Sequence, residues 1–455
     1  MSQSKKTCCQ GVLFFLLFAA IAPFLVCEVN WFCFVITHKN AQHTSPEELK
    51  MKVNKWTLAL ATAGVVSIGS VVQAEEAQHQ VLTALSSTTL SGYVDTSASW
   101  RIGKNAGPIQ GRTFDGADKQ DGFNLNVVKL TLEKPLDEGQ WSAGYKADLV
   151  FGPDANYYQS LLNGGGADAG AFAVKQAYAA FRAPVGNGID FKMGVFDTLL
   201  GYEVFESGNN PNFSRSYGYA LEPTQHTGAL ASYHLNDMIS ISAGIANTYT
   251  GAINGRASRT GRTASQSEKT YMGSLTVTLP ENLGFLAGST IYAGVADGLN
   301  SGEIAGHKTD TTSYYVGQTL NTPVTGLSVG AAFDYRQDGA NTVTVGDNWA
   351  FALAGYASYQ ASEKLKLNAR GDWTQGSDGT FYNGGAVTKL VGLSTVNASD
   401  KQNELLGVTL TADYSLWSNL ITRLEGRWDR ALSGDQAFSS DNNVLTVALN
   451  AIYKF

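Results

Sequence analysis

From residue 88 onward the chain falls into segments that alternate apolar with polar residues at period 2, and the connections between them alternate between long and short. The segments lie at 88–100, 122–134, 140–151, 171–183, 189–199, 223–235, 238–249, 269–280, 286–297, 310–322, 327–337, 348–360, 363–375, 402–415, 420–431 and 443–455. Long connections such as 101–121, 200–222 and 376–401 follow the odd-numbered segments, and tight turns such as Asn236-Asp237 and Ala361-Ser362 follow the even-numbered ones. An up-and-down antiparallel barrel with both ends of the chain on the tight-turn side produces this rhythm. A sandwich or a propeller has no reason to keep it through eight hairpins. The count of sixteen becomes fourteen or eighteen if a pair has been merged or missed.

The alternation assigns faces. In the third segment Trp141, Ala143, Tyr145, Ala147, Leu149 and Phe151 oppose Ser142, Gly144, Lys146 and Asp148. In the thirteenth, Leu365, Leu367, Ala369 and Trp373 oppose Lys364, Lys366, Asn368, Arg370 and Asp372; in the fifteenth, Thr422, Leu424 and Trp428 oppose Arg423, Glu425, Arg427 and Asp429. Alternation alone also suits a soluble sandwich. The last segment argues for lipid: Leu445, Val447, Leu449, Ala451, Tyr453 and Phe455 share one face, and the aromatics stand at the end, where an interfacial girdle belongs. It resembles the closing strands of bacterial outer-membrane barrels, in which such a terminal Phe with Tyr two residues earlier is read by the barrel-assembly machinery. That resemblance makes Tyr453 and Phe455 the expected assembly signal. Sixteen strands enclose a lumen too wide for side chains to fill, which leaves an aqueous channel.

Composition fits a membrane barrel that hides its apolar surface by alternation. Charged residues are 16% against roughly 25% in ordinary soluble chains. Cys8, Cys9, Cys27 and Cys33 are the only cysteines, so the chain downstream has neither disulfides nor cysteine–metal sites, as suits export through an oxidising compartment. Met51-Lys-Val-Asn-Lys55, the apolar run 56–72 and Val72-Gln-Ala74 together make a secretory signal, cleaved after Ala74. The expected organisation is an upstream extension at 1–50, read as an over-extended start, a signal at 51–74, a short periplasmic lead at 75–87 and a barrel at 88–455. After cleavage 26 basic and 36 acidic side chains remain, a formal charge of −10 with no basic stripe, which excludes nucleic acid as the expected partner.

The most distinctive stretch is Gly194 to Gly228. Asp197, Thr198, Gly201, Tyr202 and Glu203, then Asn210, Pro211, Asn212, Ser214, Arg215 and Ser216, then Glu222, Pro223, His226, Thr227 and Gly228 resemble the hallmark of the OmpL-like beta-barrel porin family of Gram-negative bacteria. A phrase like Leu90-Ser-Gly-Tyr-Val-Asp-Thr96 also opens such proteins. The resemblance spans about 88–455 and implies a pore more firmly than a solute.

The residues themselves point the same way. Tyr202, Phe205, Phe213, Tyr217 and Tyr219 are too many aromatics for a solvated loop, so the third long connection is expected to fold into the lumen as a constriction. Asp197, Glu203, Glu206 and Glu222 would be its acids, and Arg215 a counter-charge or a structural tie. In the bland alternative Glu203 and Arg215 merely pair to hold the loop. Lys364, Lys366, Arg370, Arg423 and Arg427 would form a basic lumen wall, giving a transverse field across a water-filled waist. Arg256, Arg259 and Arg262 make the fourth long connection basic, as contact with an anionic surface glycolipid would require.

His79, His226, His234 and His307 lack metal-ligand spacing, and neither a metal nor a cofactor is expected. A hydrolase built on Ser232 with His226 or His234 would need an orienting group and an oxyanion hole that no motif supplies. The function read from the sequence is passive diffusion of small hydrophilic solutes or ions, with outer-membrane lipid and barrel-assembly machinery as partners and homotrimer formation left open. The alternative is a surface adhesin or structural barrel without an open pore.

Overall fold

Valine, leucine, threonine and aromatic residues dominate the outward positions of these segments, and such side chains suit a pleated surface. Each strand must then pair its backbone N–H and C=O groups with neighbours, because lipid offers no partner. Among the described residues no helix is long and apolar enough to cross a membrane. The computed structural model describes residues 87–102, 109, 111–116, 119–139, 141–158, 172–249, 253–257, 268–299, 310–338, 348–377, 380–381, 403–433, 437–438 and 441–455. Ala74 and the segments 1–50 and 51–74 lie outside them.

Sixteen strands follow in order: β1 (Thr89–Ile102), β2 (Gly122–Lys134), β3 (Ser142–Phe151), β4 (Phe172–Ala183), β5 (Ile189–Asp197), β6 (Gln225–His234), β7 (Ile239–Ala246) and β8 (Thr270–Thr278) make the first half. The second half is β9 (Thr290–Leu299), β10 (Asp310–Asn321), β11 (Leu327–Asp338), β12 (Asn348–Gln360), β13 (Leu365–Gly376), β14 (Asn403–Trp417), β15 (Leu420–Ala431) and β16 (Asn443–Lys454). Every strand pairs antiparallel with its neighbours in sequence, and β1 pairs with β16 to close the ring. The fold is a closed antiparallel barrel of sixteen strands. One connection departs from the expected rhythm. The β8–β9 link, 279–289, is no shorter than 300–309, because β9 begins at Thr290 and Glu281–Leu286 coils before it.

The seam is specific. Tyr93 stands opposite Lys454, and Gly92 and Phe455 exchange two backbone hydrogen bonds of 2.9 and 3.0 Å. A Cβ on Gly92 would lie 2.7 Å from the Phe455 ring and 2.3 Å from the Lys129 carbonyl oxygen, so only glycine lets the last ring lie across the first strand.

The expected faces are the observed ones. Outward residues are exposed, Phe123 at 91% and Leu410 at 62%, and so large an apolar surface belongs in lipid and not in water. Outward aromatics collect near the strand ends, where Phe181 stacks on Phe191 at 4.7 Å and Trp349 lies parallel to Phe351 at 6.1 Å. The charged face of β13 and β15 is buried inside the ring, with Arg370, Asp372, Arg427 and Asp429 almost wholly covered.

Candidate functional site

What covers those charges is the connection 198–224 between β5 and β6, of which Asn209 alone is exposed. Its backbone lacks regular partners, so side chains must supply them. Glu425 accepts the N–H groups of Phe213 at 2.6 Å and Ser214 at 3.0 Å. Asp372 accepts Tyr217 N–H at 3.0 Å, and Asp429 accepts the Tyr217 hydroxyl at 2.6 Å. Carbonyls are met in the same way. Arg370 donates to Ser214 O at 2.6 Å and to Arg215 O at 3.3 Å, Arg427 donates to Arg215 O, and Arg423 donates to Ser207 O at 2.6 Å and Asn210 O at 2.9 Å. Charge-assisted bonds of this kind are roughly twice as strong as neutral ones.

Glu206 holds the opposite side of the segment. It pairs with Lys129 of β2 and, at 3.2 Å, with Lys175 of β4, which also holds Asp197. Asp148 of β3 completes this cluster, 3.1 Å from Lys129. Burial opposes the Glu206 charge, but the two ammonium groups outweigh it and hold its carboxyl well below the usual range.

Glu222 closes the segment differently. It is buried, forms no ion pair among the described residues, and its hydrogen-bond partner is Asp334 of β11. Burial, then the Asp334 charge and hydrogen bond, raises its carboxyl well above the ordinary glutamate value. Gly201 makes room for it: φ is +118°, and a Cβ there would meet Glu222 Oε2 at 2.1 Å.

Two expectations about this segment need correcting. Glu203 and Arg215 are not partners. Glu203 accepts Ser216 N–H at 2.7 Å, the Tyr356 hydroxyl at 3.2 Å and Arg370 at 2.9 Å. Arg215 spends its guanidinium on the carbonyls of Val204 at 3.1 Å, Phe213 at 2.6 Å and Phe205, so it ties the segment to itself. The basic wall is also not a free wall. Arg370 touches Glu203 directly, and Arg423 and Arg427 bond carbonyls of the segment as well as Asp413 and Asp429 of their own wall. Lys364 does not belong to the wall at all: it stands exposed in the β12–β13 turn, because β13 begins one residue later. Lys366 is on the inward face and half-buried.

Residues of other connections join the site. Phe114 packs against Tyr157 at 4.9 Å and Phe205 at 5.6 Å, and Tyr157 stacks on Tyr219 at 5.6 Å. Arg112 reaches Asp429 at 3.1 Å. Asp154 is paired with Lys119, yet burial pushes its carboxyl up to about 6. The sequence carried no signal for these contacts, since Arg112, Phe114 and Asp154 sit in connections without periodicity. Lys129, Lys175 and Asp148 could have been found from the inward register of β2 to β4.

The residues weighed for hydrolysis do not assemble. Ser232 bonds Ser242 at 2.8 Å, His234 bonds Ser240 at 2.7 Å, and His226 is wholly buried beside Phe196. Arg256 donates to the carbonyls of Asn254 and Gly255, while Arg259 and Arg262 lie outside the described residues. Tyr453 and Phe455 are exposed on the outer face at the seam.

The family model described as "Putative beta-barrel porin-2, OmpL-like" matches residues 87–455. The chain belongs to this family. It is an outer-membrane porin by family. No curated protein matches it. Solved structures share its fold at low identity. The anion-selective porin from Comamonas acidovorans is 12% identical with a TM-score of 0.53, over 81% of this chain and 99% of that one. The outer membrane channel DcaP of Acinetobacter baumannii is 13% identical with a TM-score of 0.51, over 81% and 97%. In-vitro folded OmpT of Vibrio cholerae, in trimer form, is 12% identical with a TM-score of 0.50, over 81% and 99%.

Proposed function

We propose that the protein is a passive diffusion pore for small hydrophilic solutes, narrowed by the connection 198–224 folding into its lumen. The observation that carries this reading is the set of bonds between that connection and inward side chains of β13 and β15, Arg370, Asp372, Arg423, Glu425 and Arg427. A loop bonded to inward residues takes up lumen cross-section, and a fixed constriction sets the size of what passes. Membership of a porin family favours a channel over an embedded hydrolase or a closed structural barrel.

Planar-bilayer recording tests the reading. The purified protein is expected to give stepwise conductance, and excision of residues 203–217 to enlarge the step. Absence of steps from the intact protein would instead favour a structural barrel or adhesin. Export by the signal at 51–74 with cleavage after Ala74, assembly through Tyr453 and Phe455, contact with surface glycolipid and association as a homotrimer belong to the same proposal. The trimer form of OmpT supports the last of these. A mature N-terminus at Glu75, read by N-terminal sequencing, is the expected product of cleavage.

A further inference from the structure

The inner wall of the barrel is divided. Residues 203–217 lodge by their bonds on β2, β4 and β12–β15, where inward charges such as Lys129, Lys175, Asp372 and Glu425 meet them. The inward face of β6–β10 is different in kind. It lies opposite the exposed Ile245, Tyr271, Leu275, Ile291 and Val316, and in these five strands it carries no lysine, arginine, aspartate or glutamate. Towards the β6–β7 turn it carries hydroxyls instead. Ser232, Ser242 and Ser274 stand in one row across β6, β7 and β8, and Ser240, Thr276 and Tyr292 make the next across β7, β8 and β9. Thr290 stands opposite Thr319 of β10. Ser232 and Ser242 bond each other at 2.8 Å, and His234 ends the second row on Ser240 at 2.7 Å. Side chains directly opposite on neighbouring strands are about 5 Å apart, so the rows form one continuous patch.

The connection frames this patch. Its first residues lie along β9–β11: a Cβ at Gly294 would meet Leu200 at 2.5 Å, one at Gly330 would collide with the Tyr202 hydroxyl, and Thr319 donates to that hydroxyl at 3.2 Å. Tyr202 stacks on buried Tyr356 at 4.2 Å, which fixes its ring and leaves part of it exposed. Tyr292, Ser232, Ser240, Ser242, Ser274 and Thr276 are likewise only half-buried.

We propose that this patch, with Tyr202 beside it, is a subsite for uncharged polyhydroxylated solutes, the sugars, in transit through the pore. The inference rests on the pore reading above and assigns that pore its solute class. Each hydroxyl can both donate and accept, so the rows exchange hydrogen bonds with a rim of solute hydroxyls in either sense. The tyrosine rings offer an apolar face to the C–H side of a sugar ring and a hydroxyl to its edge. With no fixed charge on the face, a neutral solute has only water to displace and no ion pair to break. Many weak and similar bonds let it step from row to row and leave.

The test is block of ionic current in planar bilayers by sucrose, set against polyethylene glycol of matched hydrodynamic size, which is uncharged but has ether oxygens in place of a hydroxyl rim. The full protein is expected to be blocked several-fold more strongly by sucrose. Ser274→Ala, Thr276→Val and Tyr292→Ala together should remove that excess, with conductance steps reporting that the barrel has assembled. Tyr292→Ala alone should remove part of it, and decides the matter if the triple variant does not assemble. Equal block of the wild type by the two probes would overturn the subsite and leave the pore reading intact, as would an undiminished excess in these variants. Absence of current from the wild type would overturn the pore reading itself.

Discussion

Glu206 and Glu222 hold the same connection by opposite electrostatics, so they respond to pH with opposite sign. Glu222 keeps its proton in the folded pair to a higher pH than it would unfolded, first through burial and then through Asp334. Its contribution is complete below about 4, the ordinary glutamate range, and is lost as pH rises towards the folded value. Glu206 is held below that range by Lys129 and Lys175 against the cost of burial, so its contribution is present above about 4 and is lost in acid. Thermal unfolding followed against pH should show Glu222→Gln flattening the decline on the alkaline side and Glu206→Gln flattening the acid side. A Glu222→Gln protein that still declines at the wild-type rate would remove the carboxyl pair from the account. Arg215 makes a third prediction. Lysine cannot reproduce a fork that serves three carbonyls, so Arg215→Lys should loosen the connection by about 2–3 kcal/mol, on the scale of hydrogen bonds to charged groups. Limited proteolysis reads this, and unchanged protection would mean the fork is dispensable.

At the scale of elements, β13 and β15 have two lives. Their outward residues meet lipid by a rule that depends only on alternation, and Leu410 on neighbouring β14 obeys the same rule. Replacing Leu410 by Lys puts an ammonium into hydrocarbon and should cost roughly 2–4 kcal/mol if the position lies near the bilayer midplane. A denaturant titration in lipid vesicles measures it, and a change near zero would place Leu410 at an interface. The inward residues were also legible as a charged face, from the order of Arg423, Glu425, Arg427 and Asp429. Their partners were not. Period 2 says that Arg370 points inward, but its bonds to Ser214, Arg215 and Glu203 join residues more than 150 positions apart. The expected wall of free cations facing free acids therefore became a set of contacts. Lys364 fell off the wall because the β12–β13 turn claims it.

For the whole molecule, closure depends on the last strand finding the first. Phe455 bonds Gly92 and lays its ring over the glycine, so deleting it should reduce the yield of assembled, heat-modifiable barrel, while those barrels that do form keep their conductance. Normal assembly without Phe455 would show that the terminal residue is not the signal. Sixteen strands, their order and their faces were readable from the chain, because tight turns and a one-sided apolar face act over neighbouring residues. The β8–β9 link reads too short in the sequence: 281–285 reads as a turn and the alternation of 286–289 as strand, whereas β9 begins only at Thr290. The sequence by itself determined that the chain crosses the membrane as an antiparallel barrel with a polar interior. Only the tertiary structure decided which interior charges are used up in holding 198–224. The reason is physical: burial and pairing are properties of the closed ring, fixed when strands distant in sequence bring their side chains to one loop.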